Sequence, residues 1–158
     1  MNILITGYHG FVGQNILPYL QEKGHTVYGL GRSGDYVWDD LEGDRIPHVD
    51  AIIHLAGKAH DTKNQTEADV YFKANRDLTM MVFSYFLNHQ DIKKFIFFSS
   101  VKAAADQVAG DILTEDVTPT PKGPYGESKA EAEKQLNDVW KQAPSTHTDG
   151  RQLYILRP

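Results

Sequence analysis

Thr6-Gly7-Tyr8-His9-Gly10-Phe11-Val12-Gly13 follows the aliphatic run Ile3-Leu4-Ile5 and leads into the stripe Val12, Ile16 and Leu20. A short apolar run that stops at a glycine marks a fully buried strand, and apolar residues every four positions mark a helix. The stretch is therefore a strand–turn–helix unit whose turn carries three glycines. In such a turn each glycine has a task. Gly7 permits the tight bend, Gly10 lets a pyrophosphate approach the backbone, and Gly13 lets helix and strand pack closely. The helix N-terminus adds free N–H groups and a partial positive charge. The turn is thus expected to bind a dinucleotide through Gly7, Tyr8, His9, Gly10, Phe11, Val12 and Gly13. A glycine-rich turn with no ligand is the plainer alternative, and the strand before it and the helix after it argue against that. Pro18 within the stripe is expected to kink the helix or cost about 3 kcal/mol.

Outward from this unit the pattern repeats. Residues 26–30, Ala51–Leu55, Phe95–Phe98 and Leu153–Leu156 read as strands, with a short one near Tyr36–Trp38 and a single helical turn after it. An amphipathic stretch from Thr66 to His89 sets Leu78, Met81, Val82, Tyr85 and Phe86 on one side, and an Ala/Glu/Lys-rich helix covers Tyr125–Ala143. Residues 103–124 read as a long loop. Strands alternating with helices imply an α/β fold, a doubly wound parallel sheet of the Rossmann type. The sequence closes on Arg157-Pro158 at the end of what reads as a buried strand. Domains seldom stop there, so the chain is expected to be the nucleotide-binding part of a longer protein.

Bulk properties narrow the function. The chain has 158 residues, 41% hydrophobic and 23% charged, as expected of one ordinary globular domain. With no cysteine there is no disulfide framework, thiolate metal site or cysteine nucleophile. Sixteen basic residues against 21 acidic ones, net charge −5, disfavour nonspecific nucleic-acid binding. No apolar run approaches the roughly 20 residues needed to span a bilayer, and the N-terminus lacks the charged region of a signal peptide. A cytoplasmic location is expected. The histidines show no His-x-x-x-His spacing, and the pairs Asp39-Asp40 and Glu115-Asp116 are expected to face solvent, so neither a metal site nor a carboxylate-pair hydrolase is expected.

The residue after the second strand discriminates between the two nicotinamide dinucleotides. A carboxylate there holds the ribose 2′-hydroxyl, and an arginine accommodates a 2′-phosphate. Here Gly31-Arg32-Ser33 follows, with no carboxylate until Asp35, which favours NADP over NAD through Arg32 and Ser33. A solvated loop cation, with Asp35 reaching back, is the alternative. Further on, Tyr125-Gly126-Glu127-Ser128-Lys129 puts a tyrosine and a lysine four apart on one helix face. A phenol with an ordinary pKa near 10 is a poor base, and a nearby ammonium stabilises its phenolate. Ser99-Ser100 closes the Phe95–Phe98 strand at the carboxyl edge, where ligands bind in such sheets.

Thr-Gly-x-x-Gly-Phe-Val-Gly, His-Leu-Ala-Gly, Phe-Phe-Ser-Ser and Pro-Tyr-Gly-x-Ser-Lys, in this order, resemble the extended short-chain dehydrogenases/reductases, the family of NAD-dependent epimerases and dehydratases. The resemblance spans the whole chain. It implies Tyr125 as acid/base, Lys129 as ribose ligand and phenolate stabiliser, and Ser100, 25 residues before Tyr125, as the third catalytic group. It further implies Asn75 as a residue that arranges the site, Leu55, Ala56 and Gly57 as lining for the cofactor, and Ser99 beside it. His54 reads as a packed histidine. The implied substrate is a nucleotide sugar, and the implied assembly is a homodimer through the 66–89 and 125–143 helices.

Departures from the family pattern restrict the reaction. Sugar 4,6-dehydratases carry Asp-Glu after the catalytic hydroxyl, whereas Val101-Lys102 stands here, leaving 4-epimerisation or 4-keto reduction. Ala103-Ala104-Ala105 replaces the usual Val-Tyr-Gly, and the second core helix is reduced to a turn. The family's C-terminal substrate domain is not contained in these residues. Two other readings stand beside this one: a reductase of a small carbonyl compound, and a regulator that senses NADP(H) without turnover. Relatives of the latter kind usually lack the tyrosine or lysine found here.

Overall fold

A computed structural model describes residues 1–59, 67–105 and 112–158. Six strands form one sheet: β1 (Asn2–Thr6), β2 (Thr26–Gly31), β3 (Tyr36–Val37), β4 (Ala51–His54), β5 (Lys94–Phe98) and β6 (Gln152–Leu156). Their order is β3-β2-β1-β4-β5-β6, and every pairing is parallel. This is the strand order of the Rossmann fold, with its topological switch between β1 and β4. The expected α/β class and all six strands are found.

Strand alternation sorts the core into two faces. Leu4, Ile52, Phe95 and Phe97 belong to the larger cluster, which takes in Val82, Phe83 and Phe86 of α4 (Leu78–Asn88) and Leu136 of α6 (Gly123–Gln142). Ile3, Ile5 and Ile53 belong to the smaller one, with Ile16 and Leu20 of α1 (Phe11–Glu22) packed against them. Val12, the first residue of the expected stripe, is exposed and turns to the cleft. Pro18 lies inside α1 without ending it. Pro18 and Gln14 are both exposed, so the carbonyl that loses its N–H partner opens to water.

Three expectations need adjustment. The 66–89 stretch forms α3 (Ala68–Phe72), a π-helical turn (Lys73–Asp77) and α4, while Thr66 lies outside the described residues. The last strand is not buried: β6 is an edge strand with Tyr154 and Leu156 about 40% exposed, because no described element covers that face of it. The expected turn after β3 is α2 (Asp39–Glu42), only four residues long. The expected loop 103–124 begins inside α5 (Val101–Ala104); its residues 106–111 lie outside the described ones, and Ala105 bridges to Thr120. Among the described residues no helix is long and apolar enough to cross a membrane, and no group of three or more candidate ligands is placed to hold a metal ion.

Candidate active site

The glycine turn lies at the carboxyl end of β1. Gly7 has φ +69°, a left-handed conformation, and a Cβ on it would stand 2.6 Å from the Ala56 amide nitrogen. The Gly10 N–H donates to the Gly7 carbonyl at 2.9 Å, closing the bend. A Cβ on Gly13 would stand 2.6 Å from the Gly7 carbonyl oxygen. Gly10 differs: an added Cβ would meet only that oxygen, at 3.1 Å. Gly10 also caps α1, whose N-terminus has no side-chain cap and no acidic residue in its first turn. Its orphan N–H groups and positive dipole end therefore remain available to an anion.

Two cavities flank this turn. One, of about 530 Å³, extends from Gly7, Tyr8, His9 and Gly10 to Leu30, Arg32, Ser33, Trp38, Leu55, Ala56, Gly57 and Leu78. The other, of about 310 Å³, is lined by Gly10, Phe11, Val12, Gly13, Gly57, Ser99, Ser100, Tyr125 and Lys129. Gly7, Gly10, Leu55, Gly57 and Lys58 line both, so the two form one cleft across the switch point. Every site residue expected from the sequence lines this cleft except Asn75.

Asn75 is fully buried beside it, in the π-helical turn. Its Oδ1 accepts the Lys58 N–H at 2.8 Å, and its Nδ2 donates to the Lys58 carbonyl at 3.2 Å and to Ser128 Oγ at 3.0 Å. Ser128 Oγ in turn donates to the Tyr125 carbonyl at 2.8 Å. Gly57 must be a glycine here, since a Cβ would lie 2.5 Å from Asn75 Oδ1.

A second polar chain runs beneath. Thr6 Oγ1 accepts the Leu55 and Ala56 N–H groups at 3.1 and 3.0 Å and lies 2.8 Å from His54 Nδ1. His54 Nε2 lies 3.0 Å from Thr79 Oγ1, which donates to the Asn75 carbonyl at 2.7 Å. With Thr79 donating onward, Nε2 must carry the imidazole proton, and Nδ1 accepts from Thr6. Complete burial, with the Lys129 charge adding to it, pushes the His54 pKa down to about 3, so it is neutral. It is the packed histidine expected from the sequence.

Around the smaller cavity, Lys129 Nζ donates to the Phe98 carbonyl at 2.9 Å and lies 4.7 Å from the centre of the Phe97 ring. Burial lowers its pKa to about 8, opposed by Glu133. Tyr125 is half-buried and packs edge-to-face with Tyr71, ring centres 6.3 Å apart. Ser100 Oγ caps α5 by accepting the Lys102 N–H at 3.3 Å. Ser99 Oγ is buried and is the one such side-chain polar atom without a partner among the described residues.

At the far end of the larger cavity, the Ser33 carbonyl accepts from the Tyr8 hydroxyl and from His9 Nε2, the latter at 3.1 Å. Arg32 is exposed beside it. The Asp35 carboxylate does reach back, but to the Gly29 N–H at 2.7 Å, continuing the ladder of β2 where β3 is too short.

Several residues of the site went unflagged in the sequence. Lys58 directly follows His-Leu-Ala-Gly, and Ser128 sits inside the Tyr-to-Lys motif, so adjacency was a usable signal for both. Thr6 opens the glycine motif and shares that signal, whereas Thr79 and Trp38 carry none.

Residues 3–149 match the sequence model of the NAD dependent epimerase/dehydratase family. UDP-glucose 4-epimerase of Vibrio cholerae is 27% identical over 174 aligned residues, covering 99% of this chain and 51% of that protein. The enzyme of the same name from Halalkalibacterium halodurans is 27% identical over 154, covering 87% and 46%. The structure of UDP-glucose 4-epimerase with UDP-glucose from Thermotoga maritima superposes with a TM-score of 0.82 at 26% identity, over 99% of this chain and 55% of that one. The chain spans about half the length of the curated relatives it matches.

Proposed function

The chain belongs to the NAD dependent epimerase/dehydratase family, and from that membership we propose that residues 1–158 form the nucleotide-binding part of an NAD(P)-dependent enzyme acting on a nucleotide sugar, as a 4-epimerase or a 4-keto-sugar reductase. One observation carries the reading: the glycine turn and the trio Ser100, Tyr125 and Lys129 share the walls of a single cleft. The relatives named UDP-glucose 4-epimerases supply the substrate class.

The residues fit a dinucleotide. Its pyrophosphate belongs at the uncapped N-terminus of α1, where Gly10 leaves open space, and its nicotinamide end belongs near the unpartnered Ser99 hydroxyl. When bound, the nicotinamide accepts or returns a hydride. The chain's own groups handle the proton and the positioning. Tyr125 takes or gives the proton at its phenolic oxygen. The Lys129 ammonium favours the phenolate electrostatically and reaches a ribose hydroxyl. Ser100 already accepts a hydrogen bond from Lys102, which leaves its O–H to donate to the substrate oxygen.

The cofactor proposed is NADP. Arg32 and Ser33 border the cavity, and Asp35, the nearest carboxylate after β2, is committed to Gly29. An Arg32 contact to a phosphate dianion is worth about 1.5–3 kcal/mol, roughly tenfold or more in affinity. Fluorescence titration of this chain should therefore give tighter binding of NADPH than of NADH, and Arg32→Ser should erase the difference. Equal affinities would overturn the NADP preference; no binding of either nucleotide would overturn the whole reading. A homodimer through the 68–88 and 123–142 helices completes the proposal, supported by the incomplete burial of Met80, Met81 and Leu87 and by exposed Val139.

A further inference from the structure

The proposed chemistry needs α6 to hold Tyr125 and Lys129 at the end of β5. One turn beyond Lys129, Glu133 is only 5% exposed, and both its oxygens are taken by Arg157, which directly follows β6. Arg157 Nε donates to Oε1 at 3.0 Å and to Oε2 at 3.1 Å, and the terminal guanidinium nitrogen to Oε2 at 2.5 Å. A planar fork of this kind fixes orientation as well as distance. With the Lys129 bond to the Phe98 carbonyl, α6 is tied to the carboxyl edge of the sheet at β5 and again at β6. Where only stability is at stake, an apolar pair of similar volume often serves as well as a largely buried ion pair. An apolar pair could not place a negative charge one turn from a buried ammonium.

We infer that Glu133, held by Arg157, is a positioning residue of the proposed site: the pair fixes α6 against the sheet edge and places a carboxylate one turn from the buried Lys129 ammonium. The inference rests on the dinucleotide-enzyme reading for its consequence in catalysis, not for its geometry. Among the described residues, the groups facing Lys129 are few. β4 offers His54, which is neutral; β5 offers the Phe98 carbonyl and the Phe97 ring. From α6 come Tyr125 and Glu133; Asn75 of the π-helical turn is uncharged and packs against Gly57, and Arg157 stands behind Glu133. Burial lowers the Lys129 pKa to about 8, and Glu133 is the influence that raises it.

The test reads Lys129 directly and without nucleotide. The chain, carrying ¹³C at the lysine ε-carbons, is titrated by NMR, with the Lys129 signal assigned by its loss in Lys129→Ala. Glu133→Gln should lower the Lys129 pKa by about one unit. At pH 8 its charged fraction would then fall from about one half to about one tenth. Glu133→Asp, which keeps the charge, should stay near the wild-type value. If Glu133→Gln alone fails to fold because Arg157 is left unpaired, the double variant Glu133→Gln/Arg157→Met removes both charges and should show a smaller shift in the same downward direction, because Arg157 stands behind Glu133 and farther from Lys129. A folded double variant whose Lys129 titrates as in the wild type would overturn the inference, since a pair that only packs would give that result. Wild-type NADPH titration tests the function reading separately, so failure of either leaves the other standing.

Discussion

Alanine placed at Gly13 and at Gly10 should damage different properties of the same turn. Gly13 is buried inside α1, and its added Cβ would lie 2.6 Å from the Gly7 carbonyl oxygen and equally close to the Tyr8 carbonyl carbon. Both are backbone atoms, so no side-chain rotation relieves the clash. Overpacking of this kind costs up to about 3 kcal/mol. Alanine regains up to about 1 kcal/mol of helix propensity, leaving a net loss near 2 kcal/mol. At Gly10 the backbone is extended, with φ −75° and ψ 171°, which any residue adopts, and the Cβ touches one atom at 3.1 Å. The loss there is that of a poor N-cap, about 0.5–1 kcal/mol. Yet that methyl enters the space through which the pyrophosphate would approach. With a urea slope of about 1–3 kcal/mol per molar, Gly13→Ala should lower the unfolding midpoint by about 1 M. Gly10→Ala should lower it by less than half as much, while losing at least about tenfold in NADPH affinity. A Gly10→Ala chain that binds NADPH like the wild type, or loses as much stability as Gly13→Ala, would refute the division of tasks between the two glycines.

Further expectations concern the catalytic groups, the assembly and the pH response. In the full-length protein, Tyr125→Phe should leave cofactor binding intact and cut turnover about 10²–10⁴-fold, while Lys129→Ala should weaken both; a Tyr125→Phe enzyme running at the parent rate would sink the assignment. Light scattering of the full-length protein should give the mass of a dimer, and a strictly monomeric mass would contradict pairing through the 68–88 and 123–142 helices. His54, held neutral with its pKa near 3 against 6.5 when unfolded, contributes stability that is complete above pH 6.5. That contribution falls as pH drops toward 3, by about 1.4 kcal/mol per pH unit. His48, raised chiefly by its hydrogen bond to Asp91 against an opposing desolvation, with Asp50 adding to the rise, works in the opposite direction and cancels when variants are compared. Urea midpoints between pH 6.5 and 5 should therefore decline less steeply for His54→Asn than for the wild type, and parallel slopes would count against a neutral buried imidazole.

The fold was legible because its strands have a strong local signature. Ile3-Leu4-Ile5, Ala51–His54 and Phe95–Phe98 are apolar on both sides, since each strand feeds both core clusters, and such runs are hard to read as anything else. Glycines at 7, 10 and 13 were legible because steric need at Gly7 and Gly13 is absolute. Less legible was whatever depends on what lies opposite. β6 has the same apolar composition as β5, yet one of its faces meets no described element, and composition cannot report a missing neighbour. The π-helical turn at Lys73–Asp77 is likewise invisible, because Lys-Ala-Asn-Arg-Asp is acceptable in an ordinary helix.

That turn also explains why half of the site's support went unread. Its Asn75 carbonyl accepts the Thr79 hydroxyl, and its buried side chain clamps the backbone of Lys58 and reaches Ser128. Thr6 and His54 continue the chain to the amides of Leu55 and Ala56. Apart from the Thr79–Asn75 contact within one helix, each of these is a common residue type whose partner lies 17 to 53 positions away, so only the crossover of β4 beside β1 and the approach of α6 bring them together. A cleft that binds a dinucleotide must keep its floor rigid while leaving its glycine edge open. Here the glycines form the open edge, and Thr6, His54, Asn75, Thr79 and Ser128 form the floor beneath it. Residues that would touch a ligand were therefore readable from the sequence; of those that hold them in place, Asn75 and His54 were read there too, while the parts played by Thr79 and Ser128 became readable only in the fold.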